Sequence, residues 1–380
     1  RRPASGWKRG PRQDKPRAFW LQPCRRPCRL PVDLVSEASC DRTGARVTIP
    51  AMPSIKQKRA LGQYFTRGNP FHVPAFSAWM ERFWAHRPTL LEPFAGANHI
   101  LRLVREAGWD AKWACFDTDP PSGAPEGTAV ARRDTLKRYP HGFTAAITNP
   151  PYLARNSAIR RGLGFPYAST PEHDDLYKIA LARMLAHTPY VAAIIPESFL
   201  TAGVFHDRLQ AVVSLPRRMF EDTDHPVCLA LFVPALQAPA SFEVWDGARF
   251  LGTHASLRAG LPVPAVRHTW RFNDPCGSIA LHAVDNHAGA SIRFAPGTEV
   301  SPANVKHTSR AITRIGGAEA GTEAALIAGA NEHLARYREA THDTLLTAFK
   351  GLRRDGRYRR RLDFAQARHL LDLARSGASV

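Results

Sequence analysis

Short apolar runs that end in small or polar residues recur between residues 90 and 233 and predict buried strands. Helical spacing separates several of them: Ile100, Leu103, Val104 and Ala107 share one face, and Gly108 ends that helix. This alternation indicates an α/β fold with a doubly wound, mostly parallel sheet. The predicted strands are 90–91, 113–117, 145–148, 190–196, 211–215 and 227–233, and the predicted helices are 75–85, 99–107, 174–187, 324–347 and 364–374.

The apolar run 145–148 is followed by Asn149-Pro150-Pro151-Tyr152. Two successive prolines cannot continue a hydrogen-bonded strand, so the chain must leave the sheet here. The Asn149 amide and the carbonyls that precede each proline then extend beyond the strand end. Such oxygens can accept the hydrogens of a planar NH2 group, and the Tyr152 ring can stack on it. The alternative is an ordinary turn, which Asn-Pro often opens.

A second turn of small residues, Glu92-Pro-Phe-Ala-Gly-Ala-Asn98, joins a strand to a helix. Ligands bind at such strand ends because backbone can approach them closely and a helix N-terminus points there. The loop lacks the Gly-Lys-Ser/Thr of a triphosphate site and the Gly-x-Gly-x-x-Gly of a dinucleotide site. The Glu92 carboxylate favours a cationic ligand. A purely structural loop is the alternative.

The next predicted strand ends at Asp117, 117 − 92 = 25 residues after Glu92. A carboxylate after the second strand can accept hydrogen bonds from both hydroxyls of a ribose. We therefore expect Asp117 to bind ribose, with Asp119 as the second candidate.

Together these motifs resemble those of the S-adenosylmethionine-dependent amino methyltransferases, and their order resembles the gamma group of DNA adenine-N6 enzymes. The resemblance covers residues 61–233 and implies a seven-stranded sheet with a reversed last hairpin. It implies catalytic roles for Asn149, Pro150, Pro151 and Tyr152, with Phe220 stacking on the base, although a core phenylalanine is the alternative. It implies S-adenosylmethionine as cofactor, bound by Gln63, Tyr64, Phe65, Thr66, Glu92, Phe94, Ala95, Gly96, Asn98, Asp117 and Asp134. Asp134 would bind the adenine amino group, and its alternative role is a helix cap.

The implied reaction is methyl transfer from S-adenosylmethionine to adenine N6 of a base swung out of double-stranded DNA. RNA adenine-N6, DNA cytosine-N4 and protein glutamine-N5 methyltransferases stay open as alternatives. So does a non-catalytic DNA-binding subunit of the same fold. A cognate restriction endonuclease, if there is one, is expected on a separate chain.

Charge changes the picture by favouring a nucleic-acid partner. The 380-residue chain has a net charge of +19, and residues 1–51 hold 12 Lys/Arg and 4 Asp/Glu, so 19 − 8 = +11 lies on residues 52–380. A basic balance of this size suits a polyanion. We expect the phosphate backbone to contact two basic segments, at Arg155, Arg160, Arg161 and at Lys350, Arg353, Arg354, Arg357, Arg359, Arg360, Arg361. A solvated surface is the alternative for each segment.

Composition also predicts three regions. Residues 1–51 are rich in Arg and Pro and precede the first methionine, Met52, so we expect a non-native or unstructured extension, with a basic nucleic-acid-binding arm as the alternative. A Pro/Ala-rich stretch then divides residues 52–234 from 235–380, and the resemblance to the gamma group implies that the first is the catalytic domain and the second a smaller α/β target-recognition region. The six cysteines are scattered, no Cys/His spacing is typical of zinc, and there is no long apolar run. We therefore expect a cytoplasmic, nucleoid-associated protein without metal or membrane contact.

Overall fold

The computed structural model describes residues 69–165, 167, 173–215 and 225–377. The helices in these ranges are α1 (Pro74–Trp84), α2 (His99–Glu106), α3 (Arg155–Arg160), α4 (Leu176–His187), α5 (Phe199–Ala202), α6 (His254–Ala259), α7 (Glu323–Thr341) and α8 (Phe364–Ser376). The strands are β1 (Leu90–Glu92), β2 (Trp113–Asp117), β3 (Val130–Arg132), β4 (Ala145–Thr148), β5 (Tyr190–Pro196), β6 (Leu209–Ser214), β7 (Val227–Phe232), β8 (Glu243–Asp246), β9 (Arg249–Thr253), β10 (Arg271–Phe272), β11 (Ile279–His282), β12 (Arg293–Pro296), β13 (Ile312–Gly316), β14 (Thr347–Leu352) and β15 (Tyr358–Arg361).

A large central sheet has the strand order β3-β2-β1-β4-β5-β7-β6-β8-β9. The five strands β1 to β5 are parallel to one another, and β7 is antiparallel to both of its neighbours, β5 and β6. Strands β4, β6 and β7 are buried along their whole length, which explains their unbroken apolar sequences. The predicted α/β class with a mostly parallel sheet and a reversed hairpin is confirmed.

The strand count differs from the prediction, because this sheet has nine strands in the described residues rather than seven. Strand β8 pairs in parallel with β6, and β9 pairs antiparallel with β8. Both follow the Pro/Ala-rich stretch that the sequence suggested as a boundary. Prolines mark the end of a strand, but they do not show whether the chain then rejoins the same sheet. The division near residue 234 therefore stays a prediction.

The remaining residues form a four-stranded antiparallel sheet of order β10-β13-β11-β12, the hairpin β14-β15, and helices α7 and α8. The predicted helix over 324–347 is shorter in the structure, because α7 ends at Thr341 and the chain enters β14 at Thr347. The basic run at 350–361, for which the sequence predicted phosphate contacts, forms the end of β14 and all of β15.

The core beneath the central sheet is anchored by Trp79 of α1, which is fully buried. Its indole nitrogen donates to the Phe232 carbonyl oxygen at 2.8 Å, at the end of β7. The indole ring also stacks on Phe76 and meets Phe83 edge-on. An aromatic side chain with a satisfied N–H can therefore pack fully inside and hold α1 against the sheet.

A buried ion-pair network holds hairpin β14-β15 to α7. The Asp285 carboxylate is fully buried and accepts hydrogen bonds from Arg338 at 2.9 and 3.0 Å and from Arg353 at 3.2 Å. Arg353 also donates to Asp343 and Asp355. Burial alone would raise the pKa of Asp285, but the hydrogen bonds from Arg338 and from backbone N–H groups outweigh it and lower that pKa.

We predict that Asp285→Asn will cost about 3 kcal/mol of folding free energy, because Arg338 and Arg353 would lose their most deeply buried carboxylate partner and would have to share Asp343. Urea unfolding at neutral pH measures this change. The matched control is Asp110→Asn, whose side chain is 87% exposed and should shift stability by less than about 0.5 kcal/mol. Equal stability of the two variants would contradict the role assigned to the network.

Candidate active site

The side chain of Glu92 lies at the end of β1 and is fully buried. Its Oε1 accepts hydrogen bonds from the Phe94 backbone N–H at 3.1 Å and from the Thr148 hydroxyl at the end of β4. Its Oε2 has no hydrogen-bond partner among the described residues. Burial raises the pKa of Glu92 to about 8, so the carboxyl group is mainly protonated at neutral pH. A cation placed beside Oε2 would favour the ionised form.

The loop after Glu92 borders open space. Gly96 has φ +48°, and a Cβ built on it would meet no atom within 4 Å. Glycine adopts this left-handed conformation at little cost, and it leaves the backbone uncovered for a ligand. Ala95 is buried, whereas Phe94 is half-buried against the core.

Asn98 has a structural function that the sequence did not indicate. It precedes α2 with φ 59°, and its side-chain nitrogen donates to the carbonyl oxygens of Pro125 and Thr128 at 2.8 and 2.7 Å. The side chain is fully buried and ties the loop after β2 to the start of α2. Its Oδ1 has no partner among the described residues.

Asp117 lies at the end of β2, beside the same loop. Its Oδ2 accepts a hydrogen bond from the Gly96 N–H at 2.9 Å, and its Oδ1 accepts one from the Asp119 N–H at 2.9 Å. The Thr118 hydroxyl also donates to Oδ1, at 3.5 Å, so Oδ2 is the oxygen with a second lone pair that a ligand hydroxyl could use. The carboxylate therefore fixes the glycine loop, and the ribose-binding role stays a prediction.

Asp134 follows β3 at the same edge of the sheet. Its carboxylate accepts from the Tyr167 hydroxyl at 3.1 Å and lies 3.3 Å from the Lys137 ammonium group. Its backbone carbonyl and side chain also accept from the N–H groups of the following turn, at Lys137 and Arg138. Asp134 thus stabilises a turn, but no helix follows it in the described stretch before β4, so the helix cap that the sequence offered as the alternative is not formed, and the adenine contact stays a prediction.

The Asn149-Pro150-Pro151-Tyr152 turn leaves the sheet at the end of β4. The Tyr152 hydroxyl lies within hydrogen-bonding distance of Asn149 Oδ1 and of the Ile194 carbonyl oxygen on β5. The Tyr152 side chain is only 9% exposed and packs in the core. The Tyr152 ring therefore lies in the core, and not on an open surface where it could stack on a ligand as predicted. Its hydroxyl is directed at β5 and at the Asn149 side chain, so Tyr152 holds the Asn149 amide in position.

Asp175 holds the exit from this turn. Its Oδ1 accepts hydrogen bonds from the backbone N–H groups of Leu153 at 3.0 Å and Tyr177 at 3.4 Å, so one carboxylate binds the turn and caps α4. Burial raises the pKa of Asp175 to about 6, although those two hydrogen bonds lower it. Asp175 and Thr148 were not among the predicted site residues. The Asp before an apolar helical repeat was the available signal for Asp175.

The predicted cofactor loop and the predicted catalytic turn share one edge of the sheet. Strands β1 and β4 are adjacent and parallel, with Leu91 opposite Ala146. The carboxyl ends of neighbouring parallel strands meet, and the hydrogen bond from Thr148 to Glu92 joins them directly. Asn149 is the next residue after Thr148. An arrangement of Glu92 and Asn149 at opposite ends of the sheet would have excluded a common site.

The predicted phosphate contacts divide into two groups. Arg155, Arg160 and Arg161 are exposed in and just after α3, a short helix where the sequence suggested an irregular loop. Lys350 and Arg354 are also exposed.

Arg353 and Arg360 do not fit the prediction, since both are 6% exposed. Arg353 belongs to the Asp285 network, and the Arg360 guanidinium lies 3.0 Å from Glu197 at the end of β5. Partly exposed Arg357 pairs with Asp246, and Arg359 donates to the Asp285 carbonyl oxygen. Three arginines of this basic run are therefore paired with carboxylates of the protein itself, because the fold brings Asp285, Asp246 and Glu197 to them from distant parts of the chain.

Arg361, on β15, is partly exposed. Five predicted residues lie outside the described ranges: Gln63, Tyr64, Phe65, Thr66 and Phe220. Within those ranges no group of three His, Cys, Asp or Glu side chains could hold a metal ion. In the same part of the chain no helix has the length and apolar character that a membrane crossing requires.

Comparison with known proteins gives no family assignment: no protein-family model and no curated protein matches the sequence. Solved structures with similar regions include a protein of Listeria monocytogenes described as a class I S-adenosylmethionine-dependent methyltransferase, at 14% identity and TM-score 0.37, covering 52% of this chain and 68% of that one. A type I restriction-modification methyltransferase subunit of Streptococcus thermophilus is 14% identical with TM-score 0.33, covering 48% and 46%. A protein of Pyrococcus horikoshii described as an RNA methyltransferase is 14% identical with TM-score 0.30, covering 48% and 91%. At these values the likenesses decide nothing about the activity of this chain.

We predict that Glu92 makes the protein less stable as pH rises. Between the ordinary pKa of 4.5 and the folded value of about 8, the folded chain keeps a proton that the unfolded chain has released. Stability should therefore fall by about 1.4 kcal/mol per pH unit across this window and level off above it. Urea unfolding of the parent and of Glu92→Gln at several pH values isolates this contribution.

The Glu92→Gln curve should diverge upward from the parent as pH rises from about 5 to 8. Glu106→Gln is the control, because that side chain is 46% exposed and its curve should follow the parent. Parallel curves for all three proteins would show that Glu92 does not retain its proton on folding.

Proposed function

We propose that the chain is an S-adenosylmethionine-dependent amino methyltransferase whose substrate is adenine N6 in DNA. The observation that carries the proposal is the hydrogen bond from Thr148 to Glu92. Through this bond the buried Glu92 carboxyl group contacts Thr148, which directly precedes Asn149. Oε2 of Glu92 has no hydrogen-bond partner among the described residues. A carboxyl group that could bind a cation and an amide that could accept from an amine therefore lie at the ends of adjacent strands.

The residues around the first loop fit such a cofactor. Glu92 Oε2 would accept from its ammonium group, since a buried carboxylate is stabilised by a cation within contact distance. The uncovered Gly96 backbone leaves room for approach, and Asp117 would accept from ribose hydroxyls while it fixes that loop. When bound, the cofactor supplies a methyl group on a positively charged sulfur; the amine nitrogen takes the methyl, the sulfur keeps the bonding pair, and an amine proton is released.

The residues of the second turn would orient the amine. Asn149 Oδ1 and the Pro150 carbonyl oxygen would accept its two hydrogens, which directs the nitrogen lone pair away from the ring. An amide oxygen can accept two hydrogen bonds, so the bond from Tyr152 fixes Asn149 and is compatible with this role. The chain then acts by positioning and by placed partial charges, without a strong acid or base. Asp175 would keep the turn in place through Leu153.

The net charge supports DNA over a protein substrate. Target adenines inside a duplex must be swung out to reach a turn at the sheet edge. Transfer of a radiolabelled methyl group to DNA, RNA and protein in parallel tests the proposal: it expects label in DNA, recovered as N6-methyladenine. Label in RNA, in protein glutamine or on cytosine N4 would assign the same site to another amine, and no label in any substrate would leave a DNA-binding subunit of this fold.

We predict that Asn149→Ala lowers the rate of methyl transfer at least about 100-fold, because the amine loses an acceptor needed as the new bond forms. Cofactor affinity, measured by calorimetry, should stay within about twofold of the parent. Asn156→Ala is the matched control, since Asn156 is exposed on α3. Parent-like transfer by Asn149→Ala would remove this residue from the mechanism.

Cofactor binding should also depend on pH through Glu92. Binding of a cation requires the ionised carboxylate, so affinity should rise between about pH 6 and 8, by up to about tenfold per unit. Glu92→Gln should bind more weakly and lose most of this dependence in calorimetric titrations. An unchanged pH profile in Glu92→Gln would mean that the cation binds elsewhere.

A further inference from the structure

An open groove of about 570 Å³ lies between the turn after β3 and the C-terminal half of α4. It is lined by Arg133, Lys137, Arg138, Tyr139, Pro140, His141, Arg183 and His187. Four of these side chains are permanently cationic, two are histidines, and none is acidic. The groove therefore differs in charge from the carboxylate-lined site at the strand ends.

The connection from β3 to β4 explains why the groove is open. Parallel strands are usually joined through a helix that covers the sheet, but residues 133–144 contain only a turn. This turn is fixed at both ends, because the Thr135 hydroxyl donates to the Pro93 carbonyl oxygen at 2.8 Å and the Tyr139 hydroxyl lies 3.0 Å from Thr188 Oγ1. The groove is thus bounded by anchored backbone, and its charged side chains extend from it.

The cations of the groove are poorly neutralised by the protein itself. Within the described residues, no carboxylate lies within 4.0 Å of the guanidinium groups of Arg133, Arg138 or Arg183. Arg138 and Arg183 are exposed, and the Arg133 guanidinium lies over the Phe116 ring at 4.8 Å. Like charges gathered in one groove repel one another, and a bound anion would relieve this repulsion.

The groove also lies close to the proposed site. The ammonium group of Lys137, which lines the groove, is 3.3 Å from the carboxylate of Asp134, which follows β3 at the edge of the sheet where the proposed site lies. Helix α4 leads from Asp175, which binds the turn after Tyr152, to Arg183 eight residues later, a rise of about 12 Å. This is well within one turn of duplex DNA, about 34 Å. A backbone that places its base near Asn149 could therefore reach the groove.

We propose that this groove binds the phosphodiester backbone of the DNA that carries the target base. The choice of DNA rests on the proposed function, whereas the anion site rests on the charges and the groove. A groove with four cations, whose apolar lining residues Tyr139 and Pro140 are themselves buried, suits phosphates better than an acidic peptide, which usually also needs anchors for its side chains. The contact fixes the position of the duplex and contributes no sequence preference.

The test is the salt dependence of DNA binding by the full chain. Arg138→Gln/Arg183→Gln removes two exposed cations that form no ion pair with any other described residue. Without two phosphate contacts, the slope of log affinity against log salt should become shallower by about 2, and affinity at low salt should fall about tenfold or more. The loss should be equal for duplexes of unrelated sequence. Fluorescence anisotropy with labelled duplex over about 50–200 mM salt measures both quantities.

The control removes the same charge from Arg82 on α1 and Arg249 on β9, both exposed, and should leave the slope unchanged. A parent-like slope in the groove variant overturns the proposal. Labelled polyglutamate is titrated in the same assay, and a loss of affinity for polyglutamate alone, with DNA binding unchanged, would indicate an acidic protein partner and also overturn it. Absence of DNA binding by the parent overturns it as well. Cofactor affinity and methyl transfer are measured separately, so a chain that fails to transfer methyl but shows the altered slope would disprove the proposed function and retain the groove.

Discussion

The buried carboxyl group of Glu92 joins the ends of β1 and β4, and the candidate site is arranged around it. A carboxyl group removed from water is costly unless it is protonated or paired. One of its oxygens accepts from Phe94 and Thr148, and the other has no partner in the described residues. This group therefore fixes the local backbone and also gives the strand edge a preference for a cation. Both consequences follow from a single side chain at a strand terminus.

The turn at Asn149 depends on a second set of constraints from neighbouring elements. Its prolines force the chain out of the sheet, the core-packed Tyr152 shares its hydroxyl hydrogen between Asn149 and β5, and Asp175 binds the exit of the turn to α4. Three elements thus determine the position of one amide. Such support is what a site that works by positioning requires, because small displacements of an orienting group are costly.

Much of the fold followed from sequence because its central strands are buried on both faces. Strands Ala145–Thr148 and Tyr190–Pro196 are buried, nearly continuous apolar runs, and the prediction located them at their observed bounds. Strand β3 was not located, since Val130–Arg132 lies at the sheet edge, is largely exposed and has no apolar run. Edge strands depend on a neighbour for their structure, and the neighbour is not visible in the local pattern.

The charged residues were harder to interpret for the same reason. Arg353 and Arg360 stood in a basic run, and their partners Asp285 and Glu197 lie 68 and 163 residues away in the chain. Conversely, Arg138 and Arg183 were unremarkable in sequence and meet in one groove because α4 packs beside the turn after β3. Local composition shows how much charge a segment carries, whereas the fold decides whether that charge is neutralised or offered to a partner.

The most direct test of this account is a crystal structure of the full chain with S-adenosylhomocysteine. The account predicts density at the carboxyl ends of β1 and β2, with the ligand ammonium group within about 4 Å of Glu92 Oε2 and the sulfur on the side that faces Asn149. Ligand density at another edge of the sheet, or a ligand whose ammonium group lies away from Glu92, would contradict it.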